Sequence, residues 1–410
     1  MPGPLDGIRV IDLTTIVLGP LAAQTLGDMG ADVIKLESPD GDNARTAGPE
    51  PTDGRGALFL GSNRNKRSLV LNLKQPDGRD ALLELVKGAD VFLHNMRPQA
   101  IGRLGLEYGD LADVNPRLVY CGCYGFREGG PYSHKPAYDD MIQAVSGFAA
   151  LQGRNVGRPT YASSIIADKT VAGAAVQAIM MALFHRERSG QGQAVEVPMF
   201  ETLVAFNMIE HLYGRTFEPS RGPAGYPRAL APDRRPYATT DGHIGVLPYT
   251  ERQWSAFVEI AGTPELARDE RFASYASRLE NVDELYAEIA ACIATRSSAE
   301  WLTALDEAQI PCVPVNGPDD LPDDPHLAAV GFWEFHEDPE FGTLRMTGIP
   351  SRFSETPGSI RRLAPRLGEH SAEILAEAGL SKEQIQDLIA SGATVQAPPL
   401  EDMDRKEQSA

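Results

Sequence analysis

The chain has 410 residues, 42% of them hydrophobic and 23% charged, which is room for two or three globular domains with an ordinary core. Asp and Glu number 57 against 38 Lys and Arg, a formal charge of −19, and so acidic a surface argues against nucleic acid and anionic membrane as partners. An anionic ligand then has to be held by a local basic pocket.

The first residues lack a basic segment followed by an apolar one, so the start reads as that of a mature cytoplasmic protein. Residues 8–13 (IRVIDL) predict a strand and 21–29 a helix with Gly30 as its cap. Further strands are expected at 32–36, 68–73, 90–94 and 118–122, with a helix at 79–87. Short apolar strands alternating with helices predict an α/β fold with a parallel sheet covered on both faces. The turn after the first strand, residues 14–20, holds one glycine, Gly19, where a dinucleotide site needs three. Neither a P-loop nor a GxSxG elbow occurs. Cys121 and Cys123 share one face of a strand with no matching Cys or His pair nearby. They read as reduced structural thiols, and no metal site is expected.

Residues 171–184 are rich in Ala and Met and end in His185, Arg186, Glu187 and Arg188, which predicts a buried helix with a charged end. No run of eighteen apolar residues occurs, so no membrane span is expected. Pro219, Pro223, Pro227, Pro232 and Pro236 mark a linker. Residues 237–248 read as a hairpin turning at Asp241-Gly242, followed by helices at 251–261, 282–295 and 299–308. The expected plan is a large domain at 1–224, a smaller α+β domain at 225–330, a return to the large domain at 331–397, and a polar tail at 398–410.

Three segments carry candidate chemistry. Ile165-Ile166-Ala167-Asp168-Lys169-Thr170 opens the Ala-rich helix. Asp168 there is a natural N-cap, and a carboxylate so placed is kept ionised by the helix dipole. An ionised, partly desolvated carboxylate can attack a thioester carbonyl. Ser189-Gly190-Gln191-Gly192-Gln193 stops the helix and turns into a strand. Pro136-Ala137-Tyr138-Asp139-Asp140 starts another helix.

Together with Pro4 to Asp12, Gly30 to Lys35, Asn65-Lys66-Arg67-Ser68, Asn115-Pro116-Arg117-Leu118, Ile310 to Val315 and Leu367 to Ser371, these segments resemble the family III CoA-transferases. The resemblance implies a Rossmann-like large domain built from both ends of the chain, an inserted small domain, and an interlocked homodimer. It implies Asp168 as catalytic nucleophile. Val17, Leu71, Lys74, Asn95, Met96, Arg103, Leu104 and Met199 are then coenzyme A-site positions, with Tyr138 beside the thioester. Lys74, Lys66, Arg67, Arg97 and Arg103 supply cations for phosphates. The substrates implied are an acyl-CoA and a carboxylic acid, with no permanently bound cofactor. Two departures stand out. Glu37-Ser38-Pro39 replaces a basic residue, and 246–251 lacks a glycine-rich lid, so formyl-CoA and oxalate are expected to be poor substrates. An acyl-CoA racemase and a non-catalytic acyl-CoA-binding protein are the alternatives. The racemase branch has a His at the position of Tyr138, and His134 lies outside the matching motif.

Overall fold

The computed structural model describes residues 2–49 and 54–399, so the expected polar tail falls outside the described residues from 400 onward. The chain forms two compact units. One comprises Met1–Ser146, Ala162–Ala205 and Gly331–Ala410, the other Gly147–Tyr161 and Phe206–Val330.

The first unit is organised by six parallel strands: β1 (Arg9–Leu13), β2 (Asp32–Glu37), β3 (Lys66–Val70), β4 (Val91–His94), β5 (Val119–Tyr124) and β6 (Gln193–Pro198). Their order across the sheet is β3-β2-β1-β4-β5-β6. This doubly wound order reverses direction between β1 and β4, and ligands of such sheets bind in the crevice outside the carboxyl ends of the strands at that reversal. The helices that matter for the site are α1 (Leu18–Asp28), α2 (Pro76–Val86), α3 (Pro98–Arg103), α4 (Asp139–Val145), α5 (Ile166–Ser189) and α6 (Met199–His211).

Strand β3 begins two residues before the expected 68–73 and ends three earlier. Lys66 and Arg67 thus open the strand, although charged side chains are rarely buried. Both are nevertheless buried, since each is paired. Lys66 Nζ lies 2.8 Å from Asp12 Oδ2 on the next strand but one, with both side chains sealed from solvent. Arg67 bridges Asp32, Glu373 and Glu377. These two cations are therefore consumed in the fold, which corrects their assignment as phosphate ligands.

The free edge of β3 is closed by the C-terminal segment with helices α10 (Ser371–Glu377) and α11 (Lys382–Ala390). Val70 N–H donates to Ser371 Oγ at 3.1 Å, and Thr394 Oγ1 donates to Val70 O at 2.6 Å. Ile374, Leu375, Ile385 and Leu388 complete the apolar layer that also holds Leu69, Leu71, Leu82 and Phe92. Covering an edge strand in this way removes an unpaired row of backbone groups.

Helix α5 differs from expectation. It buries Val171, Ala172, Ala175, Ile179 and Ala182, but Met181 is 69% and Phe184 66% exposed. Only one face is core. Among the described residues α5 is the one helix long and apolar enough to cross a membrane by length and composition, a test a core helix also passes.

The second unit has a three-stranded antiparallel sheet, β7 (Tyr237–Ala238), β8 (His243–Val246) and β9 (Cys312–Pro314). Helices α7 (Glu251–Ala261), α8 (Val282–Ile293) and α9 (Ser298–Glu307) pack on it around Trp254, Phe257, Phe272 and Trp301. The hairpin turn at Asp241 is braced where Asp241 Oδ1 accepts Ser298 N–H at 2.8 Å.

Candidate active site

A cavity of about 250 Å³ opens in the first unit, lined by Thr15, Asn95, Cys123, Tyr124, Tyr138, Asp168 and Met199 among others. These residues follow β1, β4 and β6, end β5, or sit on the loops and helix that cover the strand ends, as the strand order requires.

The loop after β1 is fixed by buried polar contacts. Ile16 has φ 74, a left-handed conformation that is costly for a β-branched residue. Its N–H donates to Asp42 Oδ1 at 3.0 Å. Asp42 is in turn anchored by Lys35 Nζ at 2.8 Å, and Lys35 also donates to Thr14 O. Burial alone would raise Asp12, but Lys66 and Lys35 beside it outweigh that and hold it below the usual carboxylate range. Across the crevice, Asn95 accepts Thr15 N–H at 3.0 Å and donates to Thr15 O at 2.9 Å, joining the ends of β1 and β4.

Asp168 does not cap α5. The N-cap is Ile165, and Asp168 sits in the first turn. Its N–H donates to Asp139 Oδ1 at 3.0 Å, at the start of α4. Asp139 Oδ2 accepts from Gln143 Nε2 at 2.5 Å, and Gln143 Oε1 accepts Ala162 N–H at 2.9 Å. No donor among the described residues reaches the Asp168 carboxylate itself, which is only 9% exposed and lines the cavity. Burial, and then the neighbouring Asp139 charge, push Asp168 up to about 7. The expectation that the helix dipole keeps it ionised is thus corrected: loss of water outweighs the dipole at this site. A desolvated carboxylate without hydrogen bonds is a stronger nucleophile once ionised, because nothing must be stripped from it.

A second cavity of about 770 Å³ in the same unit is lined by Lys74, Arg79, Met96, Arg103 and Leu104. The segment after β4 serves both cavities, with Asn95 and Arg97 in the first and Met96 in the second. Of the positions implied by the resemblance, Asn95, Tyr138, Asp168 and Met199 share the first cavity, and Lys74, Met96, Arg103 and Leu104 share the second. Val17 is the buried N-cap of α1 and Leu71 belongs to the core, and neither lines these cavities. Tyr138 is 70% exposed at the N-cap of α4.

Sequence reasoning missed Lys135, Cys123 and Tyr124 as cavity residues. Lys135 sits in a Gly- and Pro-rich loop without periodicity, Cys123 reads simply as a structural thiol, and Tyr124 lies just past the expected strand at 118–122. Asp139 was visible as a helix start, but its bond to Asp168, 29 residues away, was not. Glycine explains the Ser189–Gln193 motif. Gly190 ends α5 with φ 75, and a Cβ on Gly192 would lie 2.1 Å from Leu118 O.

Residues 5–371 match the model of CoA-transferase family III. Succinate--glutarate CoA-transferase of Agrobacterium fabrum is 35% identical, the match covering 91% of this chain and 95% of that protein. Succinyl-CoA:mesaconate CoA-transferase of Haloarcula hispanica is 34% identical, over 92% and 97% of the two chains. Acetyl-CoA:oxalate CoA-transferase of Acetobacter aceti is 34% identical, over 92% and 96%. A solved CAIB/BAIF family protein from Brucella suis superposes with a TM-score of 0.78 at 32% identity, covering 92% of this chain and all of that one.

Proposed function

Since the chain belongs to CoA-transferase family III, an enzyme family that moves coenzyme A between acyl-CoA thioesters and carboxylic acids, we propose that its acids are short dicarboxylates and that Asp168 is the nucleophile. The observation that carries the second point is the buried Asp168 carboxylate, reached by no donor among the described residues, at the crevice where the sheet order reverses. The first point draws on relatives whose names specify succinate, glutarate and mesaconate.

In this mechanism ionised Asp168 attacks the thioester carbonyl of the donor, the C–S bond breaks, and coenzyme A leaves as thiolate. The thiolate then attacks the aspartyl carbonyl of the mixed anhydride and releases the donor acid as carboxylate. The acceptor carboxylate attacks the resulting aspartyl thioester, and the thiolate returns to the acyl carbon of the new anhydride, regenerating Asp168. No ATP is needed, because each acyl bond broken is replaced by another. Asn95 and Tyr138 flank the reacting thioester and Met199 lines its pocket. Lys74 and Arg103 bind the nucleotide end, with Met96 and Leu104 as apolar walls. Val17 and Leu71 support these segments from behind. Coenzyme A is a substrate, not a resident cofactor.

The finer architecture is part of this reading: a Rossmann-like large domain from 1–224 and 331–397, an inserted small domain at 225–330, and two copies interlocked as a homodimer. The exposed Met181 and Phe184 of α5 support it, since a monomer rarely leaves such side chains in water as a patch.

The test is transfer from succinyl-CoA to a panel of mono- and dicarboxylates, with products identified by mass. New thioesters of dicarboxylates the size of succinate, glutarate and mesaconate are expected, with formate and oxalate poor. Transfer confined to monocarboxylates would sink the substrate class. A protein adduct with the mass of coenzyme A, cleaved by hydroxylamine and absent from Asp168→Ala, is expected for the intermediate.

A further inference from the structure

The second unit contains a cavity of about 460 Å³ lined by Arg228, Arg234, Arg235, Val246, Leu247 and Val313, with Tyr237 in its wall. Three arginines around one cavity are unexpected in a chain of net charge −19. Arg235 is neutralised, lying 2.7 Å from Asp233 Oδ1. Among the described residues, no carboxylate lies within ion-pair distance of Arg228 or Arg234.

Arg228 is half-buried on the short helical turn Pro227–Leu230. Its surroundings are phenolic: the hydroxyls of Tyr286 and Tyr226 lie beside it, and the Tyr249 ring lies 5.7 Å from its guanidinium carbon. Neutral hydroxyls orient a guanidinium without cancelling its charge, so the fork remains available to a bidentate oxyanion. A half-buried cation without an anion is also a cost that a bound anion would relieve. Arg234, exposed at the rim, and half-buried Arg228 line the same cavity, with the buried Tyr237 ring in its wall. Between them the walls are aliphatic, from Val246, Leu247 and Val313.

We propose that this cavity is a binding site for a short aliphatic dicarboxylate, with Arg228 holding one carboxylate and Arg234 the other. Two separate cations match two separate carboxylates, and the apolar walls match the methylenes between them. A phosphate would satisfy one arginine and leave the apolar surface wet. The site deepens the dicarboxylate reading above and rests on it for the ligand's class, but its test is independent of turnover.

Glutarate is titrated calorimetrically into the full-length enzyme without coenzyme A, alongside butyrate and inorganic phosphate. One saturable glutarate site is expected, with butyrate and phosphate at least about tenfold weaker. Arg228→Met should weaken glutarate by tenfold or more, and Arg228→Lys should regain part of that. Arg234→Met at the exposed rim should weaken it several-fold, which keeps the test valid should Arg228→Met misfold. The site is overturned if glutarate does not saturate, if phosphate binds as well, or if the variants match wild type. Glutarate bound at this site but never accepting coenzyme A would instead refute the substrate class and leave the site standing.

Discussion

The backbone N–H of Asp168 donates to Oδ1 of Asp139 at 3.0 Å, so the turn that carries the proposed nucleophile is anchored by a carboxylate that also opposes its ionisation. Anchoring and electrostatic tuning come from one side chain, itself steadied by Gln143.

Replacing Asp168 by Ala or Asn should lower kcat by about 10³-fold or more, as loss of a nucleophile commonly does, and should abolish the coenzyme A adduct. Steady-state kinetics with intact-mass analysis checks both. Full activity in either variant would remove the covalent mechanism.

The pH profile follows from Asp168 lying at about 7. Attack needs the carboxylate, so kcat/KM for the donor should rise with pH through that value. Asp139→Asn keeps an acceptor for the Asp168 N–H but removes the negative neighbour, so the rise should move to lower pH. Asp139→Ala loses the acceptor as well and should also lower kcat. Arg97, Lys135 and Tyr138 share the cavity and are unchanged in these variants. A rise that stays in place in Asp139→Asn would show that Asp139 does not tune Asp168.

The same shift bears on stability. The folded value lies above the unfolded 3.8, so the native state binds the extra proton, and stability falls as pH climbs from about 4 through about 7. Asp168→Asn should therefore gain stability over wild type at pH 8, up to about 4 kcal/mol, and little at pH 4. Urea denaturation at the two pH values reads this. An equal gain at both would point to packing instead of charge.

The buried Lys66–Asp12 pair should be costly to break from one side. Asp12→Asn or Lys66→Met should each destabilise by about 3–5 kcal/mol, because the remaining charge is left without its partner. The double variant should recover part of that loss. Additive losses in a double-mutant cycle would mean the two groups do not interact.

For association, light scattering should report twice the 44.4 kDa chain mass. Phe184→Glu, on the exposed face of α5, should yield monomer or aggregate. An active wild-type monomer would contradict the interlocked reading.

The strand and helix alternation was legible in the order of apolar runs. The later helices were placed well, as with 251–261, because amphipathic spacing and the Thr250 capping box leave little choice. Strand β3 was displaced because its first residues are charged, and only the arrival of Asp12 and the Glu377 segment makes their burial affordable.

From the sequence alone came the α/β class, the family resemblance and Asp168 as the residue to watch, all carried by local pattern and ordered motifs. Tertiary structure decided the electrostatic state of that residue and which cations are free. Lys66 and Arg67 are spent on partners in the fold, whereas Lys74 and Arg103 face a cavity. Desolvation and pairing depend on what the rest of the chain brings within a few ångströms of a group, and residues far apart in sequence, such as Arg67 and Glu377 or Asp139 and Asp168, meet only when the sheet and its covering helices have formed.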